Sequence, residues 1–116
     1  MKTFTGCDIV KISRMESFIK SGALSRCFTE EEEAYISGKK NTFETAAGLF
    51  AAKEALGKAL GRGLSSFPLK SVWVCHDEFG APFFAFGKDF PKKIEASLSI
   101  SHDGDYAIAT VFVTEE

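Results

Sequence analysis

The segment from about Thr42 to Leu60 constrains the fold more than any other part of the chain. Ala46, Ala47, Ala51, Ala52, Ala55 and Ala59 favour helix strongly, because alanine loses no side-chain entropy there. Asn41 stands as an N-cap, with Glu44 three residues on, and Gly61-Arg62-Gly63 stops the helix. At 3.6 residues per turn, Phe43, Ala47, Phe50, Ala51 and Glu54 share one side.

The flanks divide around this helix. Thr3 to Ile12 reads as a strand with a kink at Gly6 and with Asp8 in its middle. Ser13 and Glu16 have capping-box spacing, which predicts a helix through Met15, Phe18 and Ile19 to Gly22. Thr29 precedes Glu30 to Glu33, and acidic residues suit the positive end of a short helix ending at Gly38. After the central helix the pattern turns to strand: Val72 to Val74, a turn over Glu78 to Pro82, then Phe83 to Phe86. Leu98 to Ser101 and Tyr106 to Val113 follow, with Asp103-Gly104 matching a type I′ hairpin turn. The expected class is α+β: an N-terminal strand, helices including one long central helix, then antiparallel strands. With no linker or repeat, residues 1–116 are expected to form one domain.

Composition removes several function classes. Enough apolar surface is present, at 45% hydrophobic and 26% charged residues, to argue against intrinsic disorder. Lys and Arg number 14 against 16 Asp and Glu, so the net charge of −2 disfavours a nucleic-acid partner. No apolar run approaches the ~18 residues of a membrane span, and Met1-Lys2-Thr3-Phe4 lacks a signal-peptide stretch. No membrane association and a cytoplasmic location are expected. Cys7, Cys27 and Cys75 form no C-x-x-C pair and read as small apolar residues. Phenylalanine is abundant, 12 against 2 Tyr and 1 Trp. A small chain has limited interior, so this hints at rings buried between subunits, although a Phe-rich core is the simpler reading.

Four places could carry chemistry. Glu54 sits in an otherwise apolar stripe, and a half-buried carboxylate needs a partner. Lys58 follows four residues on, which is equally the spacing of an ordinary surface pair. Asp8 is unusual within an apolar strand. Together with Glu54 it could supply oxygen ligands to Mg²⁺, which takes one or two carboxylates and completes its octahedron with water and phosphate. Alternatively, Asp8 caps a bend after Gly6. His102 falls on one face with Leu98 and Ile100, beside Ser101 and the tight turn. Both side chains could hydrogen-bond a phosphate, or His102 could simply pack. The N-terminal third is basic, with Lys2, Lys11, Arg14, Lys20 and Arg26 against Asp8 and Glu16 through residue 29. Arg14 and Phe18, four residues apart, could form the rim of a surface for an acidic protein, or a plain solvated face.

The order of these features resembles a known family, the holo-acyl-carrier-protein synthases of the 4′-phosphopantetheinyl transferase superfamily. Gly6-Cys7-Asp8-Ile9-Val10 resembles its G-x-D-I/V-V/T segment, and Phe28-Thr29-Glu30-Glu31-Glu32 its F-S/T-x-x-E segment. Phe50 to Ala59 is similar to its F-A/S-x-K-E-A-x-x-K-A helix, followed by a G-x-G turn at Gly61 to Gly63. Gly80-Ala81-Pro82 resembles its G-x-P turn, and Ser99-Ile100-Ser101-His102 its closing S-I/L-S/T-H motif. The likeness runs from about residue 4 to 112.

The resemblance implies transfer of the 4′-phosphopantetheine arm of coenzyme A to a serine of apo-acyl carrier protein, releasing adenosine 3′,5′-bisphosphate, within fatty acid biosynthesis. It implies Mg²⁺ on Asp8 and Glu54, with Glu54 or a water near the metal as general base. Lys58 would meet the phosphates, with Lys53 a less well-directed candidate. Ser101 and His102 would contact the nucleotide end, and Gly80 to Pro82 would lie near the adenine. Arg14, Phe18 and Arg26 would dock the acidic carrier. Short members of the family are homotrimers with sites between subunits. One departure is Leu49, uncharged after Gly48, where the family often has a basic or large aromatic residue. A Mg²⁺-dependent phosphohydrolase and a non-catalytic binding domain of the same fold are the alternatives.

Overall fold

The computed structural model describes residues 1–115; Glu116, the last residue of the expected domain, lies outside the described residues. Strand β1 (Lys2–Lys11) leads through a 3-10 turn at Ile12–Arg14 into three short helices: α1 (Met15–Lys20), α2 (Leu24–Cys27) and α3 (Glu30–Ser37). The long helix α4 (Thr42–Ala59) follows. A second 3-10 turn at Gly63–Ser66 precedes β2 (Val72–His76), β3 (Pro82–Phe86), β4 (Glu95–Asp103) and β5 (Tyr106–Glu115). The architecture is the expected α+β, and the central helix keeps its expected bounds to within a residue.

Strands β1, β5 and β4 form an antiparallel sheet with β5 in the middle, and β2 pairs with β3 as a hairpin. Helix α4 lies across one face of the three-stranded sheet. Small residues allow this contact from both sides. Ala107, Ala109, Val111 and Val113 alternate inward from β5 and are buried. Gly6 faces the helix because a β-carbon there would collide with the Ala55 carbonyl oxygen. The expected kink at Gly6 is therefore absent: the β1 ladder runs unbroken, with Gly6 opposite Val111 and Asp8 opposite Ala109. That glycine serves close packing, and Asp8 caps no bend.

Other local expectations shift for identifiable reasons. Ser13 caps no helix; its hydroxyl donates to Asp105 at 2.8 Å, tying the start of the helical region to the β4–β5 turn. Asn41 makes no side-chain cap, and Thr42 instead donates its hydroxyl to the Lys39 carbonyl at 3.2 Å. The hairpin loop is Gly104-Asp105, one residue later than expected, since Asp103 pairs with Tyr106. Only Gly104 has a positive φ, 58°, whereas a type I′ turn requires one at both positions.

The phenylalanines divide between core and surface. Phe28, Phe67, Phe84 and Phe90 are buried, and Phe18, Phe50 and Phe86 are half-buried. Phe4, Phe43, Phe79, Phe83 and Phe112 are exposed. The face of the sheet turned away from α4 carries Ile9, Tyr106, Ile108 and Phe112, with Ile9 60% exposed. Among the described residues no helix is long and apolar enough to cross a membrane, and all three cysteines are free thiols.

Candidate active site

Strand alternation turns Gly6, Asp8 and Val10 of β1 toward α4. Gly6 lets the helix come close, so Asp8, two residues on, meets the helix side that carries Glu54 and Lys58. The Lys58 ammonium donates to Asp8 Oδ1 at 2.9 Å and to the Cys7 carbonyl at 3.1 Å. The Asp8 side chain is 15% exposed and that of Lys58 51%, so the pair opens to solvent on the lysine side.

Glu54 is half-buried beside this pair. Burial first, and then the Asp8 charge, push its carboxyl above the usual carboxylate range, while Lys58 opposes them. The hydrogen bond and charge of Asp8 raise the Lys58 ammonium. Two carboxylates that repel each other, with the one lysine bonded to Asp8 and not to Glu54, are an oxygen donor set that could accept a further cation. That suits Mg²⁺, which takes few protein ligands and keeps water or phosphate on its remaining positions. Among the described residues no cluster of three or more potential ligands exists; Asp8 and Glu54 are the two carboxylates of this cleft that could hold such an ion.

Asp8 and Glu54 line a cleft of about 340 Å³ together with Lys11, Arg14, Phe18 and Phe50. The Phe18 ring packs on Phe50 at 5.1 Å, fixing α1 against α4. Arg14 lies in the 3-10 turn ahead of α1 and still borders the same cleft. Glu16, on the same short helix, is neutralised by Lys20 at 2.9 Å. Arg26 is exposed on α2 and does not line this cleft.

A second pocket, of about 190 Å³, lies toward the N-terminal end of α4. Gly80, Pro82 and His102 line it together, and Gly48, Thr45, Leu49, Tyr35, His76 and Ile100 complete it. His102 faces the helix with Leu98 and Ile100. Its Nε2 lies 3.1 Å from the Glu44 carbonyl oxygen, and its Nδ1 lies 3.7 Å from the Glu44 carboxylate. A β-carbon on Gly48 would stand 2.9 Å from that ring, so glycine makes room for the imidazole. The turn before Pro82 is held by Asp77, whose carboxylate accepts the Phe79 and Ala81 amides at 2.8 and 2.9 Å. His76 stacks on Tyr35, with ring centroids 4.0 Å apart and planes within 9°. Gly48 and Glu54 are six residues apart, about 9 Å along the helix axis, so the two pockets sit within one extended ligand's reach.

Ser101 goes elsewhere. Alternation turns its side chain to the opposite sheet face, in a cleft of about 280 Å³ with Ile9, Tyr106 and Ile108, which His102 and Asp103 also border. Within one chain, Asp8, Glu54 and Lys58 come together, as do Gly80, Pro82 and His102, while Ser101 meets the second group only through His102, which borders both clefts.

Lys53 is no phosphate candidate. Its side chain is 1% exposed, and its ammonium donates to Glu32 Oε1 at 2.7 Å and to the Cys27 and Leu69 carbonyls at 2.7 and 2.9 Å. Burial pulls its pKa down, and the Glu32 charge opposes that shift. Sequence reading missed this pair, and the Tyr35–His76 wall, because the partners are 21 and 41 positions apart. The spacing of Thr29 and Glu32 was the one local signal.

Comparison with known proteins decides the family. The model of the 4′-phosphopantetheinyl transferase superfamily matches residues 5–111. This chain belongs to that superfamily. Within it, the chain is 38% identical to the holo-(acyl-carrier-protein) synthase of Thermoanaerobacter sp. (strain X514), over 94% of this chain and 85% of that protein. The superfamily fold is also seen in a holo-(acyl-carrier-protein) synthase from Bacillus anthracis str. Ames in complex with CoA (3′,5′-ADP). That structure matches with a TM-score of 0.85 and 31% identity, covering 97% of this chain and 96% of the other. The Helicobacter pylori enzyme of the same name, in complex with coenzyme A, matches at a TM-score of 0.83 and 32% identity, over 95% and 99% of the two chains.

Proposed function

We propose that residues 1–116 form one transferase domain that moves 4′-phosphopantetheine from coenzyme A to a serine of apo-acyl carrier protein. The products are holo-carrier protein and adenosine 3′,5′-bisphosphate, and the holo-carrier would serve fatty acid biosynthesis in the cytoplasm. The observation that carries the reading is the meeting of Asp8 and Glu54 on one cleft, with Lys58 bonded to Asp8, in a chain of this superfamily. Retention of all three, with His102 in the neighbouring pocket, speaks against a binding domain that has lost turnover.

In this reading the turn at Gly80 to Pro82 lies against the base and His102 contacts the 3′-phosphate, which their sharing of one pocket supports. The Lys58 ammonium, exposed on one side, leaves Asp8 to meet the pyrophosphate. Asp8 and Glu54 would hold Mg²⁺, which supplies charge neutralisation on the pyrophosphate when bound. Glu54 has raised proton affinity and receives the serine proton. The serine oxygen then bonds to the pantetheine-bearing phosphorus, and the bond from that phosphorus to the bridging oxygen breaks. The bridging oxygen leaves with the nucleotide bisphosphate.

A homotrimer with sites between subunits is part of the same proposal. The uncovered sheet face supports it, since Ile9, Tyr106, Ile108 and Phe112 form an apolar surface that another copy would bury. Ile9 borders both the Asp8 cleft and the Ser101 cleft, so a copy seated there reaches both. Arg14 and Phe18, with Arg26 further out, present a basic rim to an acidic carrier.

Intact-mass measurement of an apo-carrier after incubation with the protein, coenzyme A and Mg²⁺ tests the reaction. The carrier is expected to gain the mass of phosphopantetheine; an unchanged mass refutes transfer to that carrier. Light scattering on the eluting protein at micromolar concentration is expected to give three times the chain mass, and a monomer mass refutes the assembly.

A further inference from the structure

The segments Phe28 to Glu32 and Lys53 to Ala55 meet in space, at the buried pair between Glu32 and Lys53. Lys53 has all three of its protons committed: one to Glu32 and two to backbone carbonyls at Cys27 and Leu69. Glu32, with a fully buried side chain, accepts the Thr29 amide at 3.0 Å and, through its other oxygen, the Val74 amide at 2.9 Å. The pair thus ties the end of α2, the start of α3, the approach to β2 and strand β2 itself to a single point on α4.

That point adjoins Glu54. Most of the buried surface of α4 is small, built from Ala46, Ala47, Gly48, Ala51, Ala52 and Ala55, with Leu49 and Leu56 as the larger apolar side chains on it. Alanine and glycine contacts set mainly how close the helix lies to the sheet, whereas hydrogen bonds to a buried ion have fixed directions and add a constraint on its rotation at residue 53. A turn of about 20° carries a side-chain tip at the helix rim through about 2 Å. Displacements of about 1 Å at a reacting group cost about a hundredfold in rate.

Building on the transferase reading, we propose that Glu32 and Lys53 are positioning residues for phosphopantetheinyl transfer, setting the rotation of α4 that presents the Glu54 carboxylate beside Asp8. Neither residue touches substrate. Their effect falls on the rate of the chemical step and on cation affinity at the Asp8–Glu54 site, and not on coenzyme A binding.

The test uses the full chain as Glu32→Gln and as Glu32→Gln combined with Lys53→Met, so that the double variant buries no unpaired charge. Both are read for kcat, for KM of coenzyme A, and for Mn²⁺ affinity without substrate by electron paramagnetic resonance. We expect kcat to fall at least tenfold, KM for coenzyme A to stay within about twofold, and Mn²⁺ affinity to weaken at least threefold. Wild-type kcat and Mn²⁺ affinity in a folded variant would overturn the proposal. So would a raised KM at unchanged kcat, which would make Lys53 a phosphate ligand. Should the double variant fail to fold, Glu32→Gln alone decides, because there Lys53 keeps both carbonyl partners. A wild-type protein that modifies no carrier fails the transferase reading itself, before any variant is compared.

Discussion

Helix α4 carries two lysine–carboxylate pairs only five residues apart, and they live in opposite environments. Lys53 and Glu32 are sealed, with every proton and every carboxylate oxygen committed within the fold. Lys58 and Asp8 are open, with the lysine half in solvent and a second carboxylate, Glu54, beside them. A closed pair has nothing left to offer a ligand, and breaking it strands a buried charge. An open pair with a surplus carboxylate can exchange its cation for another and can take a proton. Both are a lysine with a carboxylate; burial and unused hydrogen-bonding capacity separate the anchor from the reactive group.

The largest effects should fall on opposite readouts for the two pairs. Glu54→Gln keeps the shape but removes the base and one metal ligand. Transfer is expected to drop about a thousandfold, equivalent to about 4 kcal/mol of barrier, in a steady-state assay. Its midpoint in a urea melt should stay near that of the unaltered chain, and full transfer would contradict the assignment. Lys53→Met acts most strongly on stability, leaving Glu32 buried without a cation. The expected loss is about 3 kcal/mol of folding stability, measured by chemical denaturation. A loss under about 1 kcal/mol would mean that water reaches Glu32 and that the pair is not sealed.

The sequence shows this contrast only in part. Local signals carry the secondary structure well. The alanines of α4 and the acidic residues after Thr29 mark helices, and alternation marks β5. Asp8 and Glu54 stood out because each is a carboxylate among apolar neighbours, and they do meet in the fold. What stayed hidden depends on pairing at a distance. Nothing within three or four residues of Lys53 announces Glu32, and Ser101 looks like a neighbour of His102 until the pleat sends them to opposite faces. Gly6 looked like a kink because a single sequence does not reveal that a helix backbone would press against it. Ser13 looked like a cap until its hydroxyl found Asp105, 92 residues away.

A smaller effect is expected at the open pair. Because Lys58 is half exposed, Lys58→Met should change folding stability by less than about 1 kcal/mol. It should raise the KM for coenzyme A roughly tenfold, the loss of about 1.4 kcal/mol of charged contact. The carboxyl of Glu54 gives an independent check by carbon NMR titration. Removing the Lys58 cation takes away the one influence that lowers its pKa, so the value should rise further. Asp8→Asn removes a like charge, so the value should fall. The opposite sign in either variant would break the coupling of the three groups.

The smallest effect should appear at the rim of the cleft. Arg14 borders the same space as Asp8 and Glu54 but sits in an exposed turn, where ionic contacts are screened by salt. A charge in that position guides an acidic partner toward the cleft more than it holds it there, so its removal slows encounter. Arg14→Ala is therefore expected to raise the KM for the carrier about threefold, with kcat and the KM for coenzyme A unchanged, a cost below about 1 kcal/mol. The difference between the variant and the unaltered protein should shrink as salt rises from 50 to about 500 mM, because the Debye length falls below the reach of a surface charge. A salt-independent defect would mean that Arg14 makes a desolvated contact, as closed as the one at Lys53. No defect at any ionic strength would move the docking surface away from α1, toward Arg26 or another face.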